Sequence, residues 1–219
     1  MAGGFLGELT SDEARALRDR SRPRRYPKGS TLFNEGESSD RVFVVTEGQA
    51  KLSFFTDDGR EILLAVRGPG EIIGEMSAID GEPRSATATA MESVEALVMT
   101  SDGFESFITD NPRVGLLLLQ MLSRRLRDAD RKRIEFGAFD TIGRVARRLV
   151  ELADDYGEAT DDGVRISLPL TQQDLAGWTG SSREAVSKAL QTLRGRGWIA
   201  THRKGITVLD LEAVRRRAG

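Results

Sequence analysis

"LTQQDLAGWTGSSREAVSKALQTLRGRGWI", residues 170–199, divides into two helical phrases around a single glycine. Thr171 opens the first phrase with Asp174 three positions on, the reciprocal pattern of a capping box. Ala176 keeps that helix thin, and Gly180 falls where a tight turn between two crossing helices needs a residue without a side chain. A second helix opens at Ser181 or Ser182. Its apolar side is Val186, Ala189, Leu190 and Leu193; Arg183, Glu184, Ser187, Lys188 and Gln191 take the opposite side. This is the pattern of a helix-turn-helix, whose second helix enters the major groove of duplex DNA.

The exposed side has residue types that read base edges. Arg183 offers two parallel hydrogen bonds to guanine O6 and N7, and Glu184 accepts from a cytosine amino group. Lys188 reaches a base or a phosphate. Ser182 and the helix N-terminus suit a phosphate oxygen, and Thr171 and Ser187 complete the DNA-facing set. Bland readings stand beside these: Ser181 and Glu184 form an S-x-x-E capping pattern, and Lys188 and Gln191 suit plain solvation. Downstream, "GWIATHRKGITVLD" (residues 197–210) reads as two short strands around a basic tip. In such a winged hairpin His202, Arg203 and Lys204 touch backbone phosphate without reading sequence.

The wider chain is consistent with two functions. Residues 163–219 carry ten Lys and Arg against four Asp and Glu, while the whole chain has a net charge of −2. A basic C-terminal segment on an acidic body places the polyanion-facing surface at the C-terminus. With 39% hydrophobic and 30% charged residues, the 219-residue chain reads as globular. No apolar run reaches spanning length, and the N-terminus lacks the order of a secretion signal, so a cytoplasmic protein is expected. The absence of cysteine and the single histidine exclude thiolate catalysis, disulfides and cysteine zinc sites, and leave no metal cofactor expected. No nucleophile–base constellation or Walker-type loop is present, so the expected protein is not an enzyme.

Ser11, Asp12 and Glu13 read as the cap and first turn of a short initial helix. From Tyr26 to Thr100 the chain is β-prone, with "RVFVVTEG", "AKLSFF", "EILLAV" and "VEALVM" as strands between regularly spaced glycines. This predicts an all-β sandwich or barrel, with "TDDGRE" as a hairpin turn. From Pro112 the punctuation stops. Leu119, Leu122, Leu126, Ala129, Arg133 and Phe136 alternate steps of three and four, the spacing of a seam between paired helices. Asp140 caps a further helix, and "EATDDG" (residues 158–163) reads as a loop. The expected domains are 1–110, 111–138 and 139–219.

"GEMSAIDGEPRSATATA", residues 74–90, holds one arginine in a stretch that becomes a buried strand from Ser85 onward. Arginine is almost never buried without a partner, so Arg84 requires an anion: a bound ligand, or an ion pair with Glu75 or Glu82. The stretch is similar to the phosphate-binding cassette of cyclic-nucleotide-binding domains, G-E-x-x-x-x-x-G-x-P-R-[ST]-A, and "SREAVSKAL" resembles the recognition helix of one family. From about Tyr26 to Leu211 the chain resembles the bacterial catabolite-activator and fumarate–nitrate-regulator superfamily of transcription factors. The resemblance implies an α+β fold: an N-terminal jelly-roll-like β-barrel sensor, a long dimerisation helix and a C-terminal winged helix-turn-helix. It implies cyclic AMP, or another cyclic nucleotide, bound by Gly74, Glu75, Met76, Arg84, Ser85 and Ala86. It further implies a homodimer on palindromic double-stranded DNA with GTGA-like half-sites, and contact with RNA polymerase. In cyclic-AMP-responsive members a Thr-Ser pair on the long helix contacts adenine; the matching positions are Ala129 and Asp130. Asp130 would accept from an amino group. A different cyclic nucleotide or a vestigial pocket therefore stays open, as does a regulatory subunit of a partner enzyme.

Overall fold

The computed structural model of the protein describes residues 4–219 other than Ser39, Pro169, Arg203 and Lys204. In chain order the first elements are α1 (Gly4–Gly7), α2 (Ser11–Asp19), β1 (Arg22–Tyr26), β2 (Thr31–Phe33), β3 (Arg41–Glu47), β4 (Ala50–Phe55) and β5 (Glu61–Arg67). There follow β6 (Ile72–Ile73), α3 (Glu75–Asp80), β7 (Thr87–Ala90), β8 (Val94–Thr100), α4 (Ser101–Asp110), α5 (Pro112–Ala138) and α6 (Thr141–Tyr156). The last are β9 (Gly157–Thr160), β10 (Gly163–Ile166), α7 (Gln172–Thr179), α8 (Arg183–Gly195), β11 (Ile199–His202), β12 (Gly205–Val208) and α9 (Leu211–Ala218). Two compact units result: Phe55–Leu63 with Ala129–Gly219, and the residues up to Phe54 with Leu64–Asp128.

β3 shows why the N-terminal unit has two cores. Successive side chains of a strand point to opposite faces, and both faces of "RVFVVTE" are apolar. Val42 and Val44 join Leu17, Phe104, Phe107, Val114 and Leu118, a core shared with α2, α4 and α5. Phe43 and Val45 join Phe33, Ala50, Ala88, Ala96 and Val98, a core between two sheets. Those sheets run β1-β8-β3-β6 and β2-β7-β4-β5. They do not close, which corrects the expected barrel to a two-sheet jelly roll. Strands as short as β6 and β2 end each ladder before it reaches the other sheet, leaving β1, β6, β2 and β5 as edges.

In the C-terminal unit α6 presents Val145, Ala146, Leu149, Leu152 and Ala153 to α7, α8 and α9. The expected loop at residues 158–163 is instead a hairpin, β9 and β10, whose turn is closed by Thr160 Oγ1 donating to Gly163 O at 2.9 Å. Ile166 turns inward, and β10 pairs with β12, so the wing belongs to a four-stranded sheet β11-β12-β10-β9. The three C-terminal arginines ride on α9; Arg215 pairs with Asp154 and Arg217 with Asp140, each at 2.5 Å.

Helix α2 is capped by Thr10, one residue before the expected Ser11, because Thr10 and Glu13 form a reciprocal box. Glu13 also receives Arg113 of α5, from Nε at 2.9 Å and Nη2 at 2.5 Å. Those bonds hold the Glu13 carboxyl down at about 2, from an ordinary 4.5. A depressed folded-state value means the pair stabilises fully above about pH 4.5, and that this contribution disappears as pH falls toward 2. Urea unfolding of wild type and Glu13→Gln is therefore expected to show wild type more stable at neutral pH, with the gap closing between those two values. A gap that does not change with pH would contradict the assignment.

Candidate functional site

Three segments fix Arg84. Gly74 ends β6 in the left-handed region (φ 81°) and starts α3, turning its carbonyl toward the arginine. The turn at residues 34–37, closed by Glu37 on Asn34, holds the Arg84 backbone: Arg84 N donates to Glu37 O at 2.9 Å and Gly36 N to Arg84 O at 2.8 Å. β3 supplies the carbonyl of Arg41. The guanidinium is 3% exposed, with Nη1 donating to Gly74 O at 2.8 Å and Nη2 to Arg41 O at 2.5 Å. Its Cζ lies 4.3 Å from the centre of the Phe33 ring, and its buried Nε has no partner among the described residues. A Cβ at Gly74 would stand 2.5 Å from Nη1, so glycine is needed for room as well as for its φ.

Among the described residues no carboxylate bonds Arg84, so the alternative of an ion pair with Glu75 or Glu82 is not realised. Burial lowers the guanidinium from its ordinary value, and only the more distant fields of Asp40, Glu37 and Glu75 oppose this. An arginine does not deprotonate to escape such a place. The cradle therefore suits one additional oxygen anion, and its donor set fits a phosphodiester.

Glu75 is buried beside it but committed elsewhere. Arg125 of α5 donates from Nη1 to Glu75 Oε1 and from Nη2 to Ile72 O at 2.9 Å. Burial lowers the Arg125 guanidinium first, Arg67 adds to that, and Glu75 and Glu71 oppose it. Sequence reasoning missed both Arg125 and Phe33. For Arg125 a signal existed: it follows Leu118 by seven and Met121 by four, the spacing of the α5 face that packs on the core. An arginine continuing a buried stripe is a partner in search of an acid.

Of the other expected ligand residues, Met76 is exposed on α3, Ser85 is exposed and Ala86 is buried. Asp130 is exposed on α5 and falls in the C-terminal unit, so Gly74, Glu75 and Arg84 are the members brought together.

In the helix-turn-helix, Thr171 caps α7 and exchanges hydrogen bonds with Asp174, as the spacing predicts. Gly180 takes φ 57° at the turn. α8 is capped by Ser182, whose Oγ accepts from Ala185 N at 3.1 Å. Ser181 is not the cap, and the Ser181–Glu184 box does not form. Arg144 claims Ser181 Oγ at 3.1 Å while also donating to Thr179 O at 2.8 Å. Arg183, Glu184 and Lys188 are exposed on the first turns of α8, Ser187 is half-buried, and Val186, Ala189, Leu190 and Leu193 are buried. The Glu184 carboxyl is held below its usual range by its own backbone amide, the Ser182 hydroxyl and the Arg183 field. His202 is exposed at the end of β11; Arg203 and Lys204 lie outside the described residues.

Comparison with known proteins gives the same two halves. Residues 23–111 match the cyclic nucleotide-binding domain family, and residues 143–217 match the Crp-like helix-turn-helix domain family. The chain is 38% identical over 217 residues to the CRP-like cAMP-activated global transcriptional regulator of Mycobacterium tuberculosis, covering 99% of this chain and 96% of that protein. It is 31% identical over 186 residues to the cAMP-activated global transcriptional regulator CRP of Haemophilus influenzae, covering 84% and 82%. Among solved structures, the c-di-GMP responsive regulator CLP of Xanthomonas campestris superposes with a TM-score of 0.80 at 25% identity, covering 91% and 99%. A buried arginine in a cyclic nucleotide-binding domain and a helix-turn-helix thus meet in one known plan, and the chain belongs to the CRP/FNR superfamily of transcription regulators, as a DNA-binding regulator under cyclic-nucleotide control.

Proposed function

We propose that the chain is a cytoplasmic homodimer that binds cyclic AMP at Arg84 and then reads a palindromic DNA site. The observation that carries the ligand half is the buried Arg84 guanidinium, which among the described residues is bonded only to backbone carbonyls and has Nε unsatisfied. The cyclic phosphate is a fixed single negative charge, and Arg84 answers it with a planar fork of donors. Ser85 and the backbone of Ala86 add donors, and Met76 lies against the sugar side. Glu75, steadied by Arg125, accepts from the ribose 2′-hydroxyl. The relatives named as cAMP-activated support this nucleotide over others. Ala129 and Asp130 favour a second reading on the base side, since Ala129 has no polar side chain and Asp130 would have to shed hydration to meet a base. That reading is another cyclic nucleotide in the same phosphate cradle.

The DNA half rests on α8. Arg183 donates to guanine, Glu184 accepts from cytosine, Lys188 reaches base or phosphate, and Ser182, Thr171, Ser187, His202, Arg203 and Lys204 hold the backbone. That order of side chains favours GTGA-like half-sites about one helical turn apart, matched to a two-fold dimer. Exposed Leu119, Leu126 and Phe136 on α5, each more than half accessible, support pairing with a second copy. Family membership makes RNA polymerase the onward partner. No step calls for catalysis or a metal, and no helix among the described residues is long and apolar enough to cross a membrane.

Two outcomes follow. By calorimetry, Arg84→Ala is expected to lose about 2–5 kcal/mol of cyclic AMP binding, about 30- to 5,000-fold in Kd. Identical null titrations of wild type and variant with cyclic AMP and cyclic GMP would mark the pocket as vestigial. In binding selection, Arg183→Ala is expected to lose about 1–3 kcal/mol per half-site and its guanine preference. A wild type with no guanine–cytosine preference at that position would refute the assignment of Arg183.

A further inference from the structure

Glu135 stands in the last turn of α5, where the helix carbonyls disfavour negative charge, yet it is only 5% exposed. Each of its oxygens is taken by a different arginine of α6. Arg147 Nε lies 2.7 Å from Oε1, and Arg148 Nη2 bonds Oε2. Arg148, 1% exposed, also donates from Nη1 to Glu151 Oε2 at 2.6 Å. The same end of α5 reaches α7. Lys132 Nζ and Arg148 Cζ lie 5.6 and 5.9 Å from the Trp178 ring, and a Cβ at Gly180 would collide with the Phe136 ring. Lys132, Glu135 and Phe136 are spaced three and four apart, so one helix face makes all these contacts.

We infer that Glu135 and Arg148 are positioning residues for regulated DNA reading, locking the last turns of α5 onto α6 and α7 so that α8 turns with α5. The inference rests on the regulated DNA binding proposed above. An apolar seam at this place would hold α5 and α6 together as firmly, because a buried ion pair is often no more stabilising than a well-packed apolar substitute. What the pair adds is geometry. A two-armed carboxylate between two guanidiniums has one register, whereas packed leucines can slide. α6 in turn packs on α8, so the register of α5 sets the attitude of Arg183 and Lys188. At its middle α5 holds the buried Glu75 through Arg125, so one helix is fixed at two points by arginine–glutamate pairs.

The test uses the full-length protein with the paired replacement Glu135→Leu/Arg148→Met, and Glu135→Gln as the second variant. DNA affinity is read by fluorescence anisotropy at fixed salt, on a duplex selected with wild type, without nucleotide and with cyclic AMP or cyclic GMP. Melting temperature and nucleotide affinity are measured alongside. The expected result is an unchanged melting temperature in the paired variant and a nucleotide Kd within about threefold, while the affinity ratio with and without nucleotide falls at least about fivefold. A smaller fall overturns the inference. If the paired variant unfolds, Glu135→Gln is judged by the same ratio; if both unfold, the pair is merely structural and the inference fails. If wild-type DNA affinity ignores both nucleotides, the ligand reading falls instead. The inference is then decided by DNA affinity alone, a loss of at least about fivefold at unchanged melting temperature supporting it and a smaller loss overturning it.

Discussion

A guanidinium sealed from water keeps its charge, and the N-terminal unit is arranged around that constraint. Arg84 is held by the β6–α3 turn close by in sequence and, from more than forty residues earlier, by the turn at residues 34–37 and the start of β3. Backbone carbonyls of Gly74 and Arg41 supply partial negative charge without closing the site as a carboxylate would. Asp40, Glu37 and Glu75 act on Arg84 through their fields, Asp40 most strongly, and among the described residues none of them bonds it. Glu75, next in sequence to Gly74, is buried too but bonds Arg125 of α5 instead.

Sequence patterning revealed most of this fold where an element carries its own periodicity. β3, β4, β5 and β8 were legible because each alternates or is apolar on both faces, and α7 and α8 because Thr171 and Gly180 are local signals that tertiary packing did not override. The failures share a cause. β1 is "RPRRY", an edge strand with four exposed residues; its ladder with β8 alone makes it a strand. β6 is two residues long, and the β9–β10 hairpin exists because β10 pairs with β12, some forty residues away. In the site, the glycines and Arg84 were visible as a motif. Arg125 was not: its place on the stripe of Leu118 and Met121 marks it as inward-facing, but its partner Glu75 lies fifty residues away and is chosen by the fold. The sequence left the cap of α8 open between Ser181 and Ser182 for the same reason: Arg144, distant in sequence, occupies Ser181 and leaves Ser182 as the cap.

The two families of contact on α5 are chemically distinct, and the difference bears on how one helix serves several tasks. Within its own chain it joins the apolar core through Val114 and Leu118, but its position is fixed by Arg125 and Glu135, whose hydrogen-bond geometry admits one arrangement, with Lys132 over the Trp178 ring. Its outward residues Leu116, Leu119, Leu126 and Ile134 are apolar and more than half exposed. Apolar contact scales with area and tolerates small slides, whereas a bidentate ion pair does not. A helix built this way can rotate against a proposed second copy at little cost in buried area, while staying in register with Glu75 at its middle and Arg148 at its last turn. Freedom then lies at the proposed seam between copies, and fixed geometry at the ion pairs of α5. A regulator must have that division if occupancy near Arg84 is to change the attitude of Arg183 without unfolding anything between them.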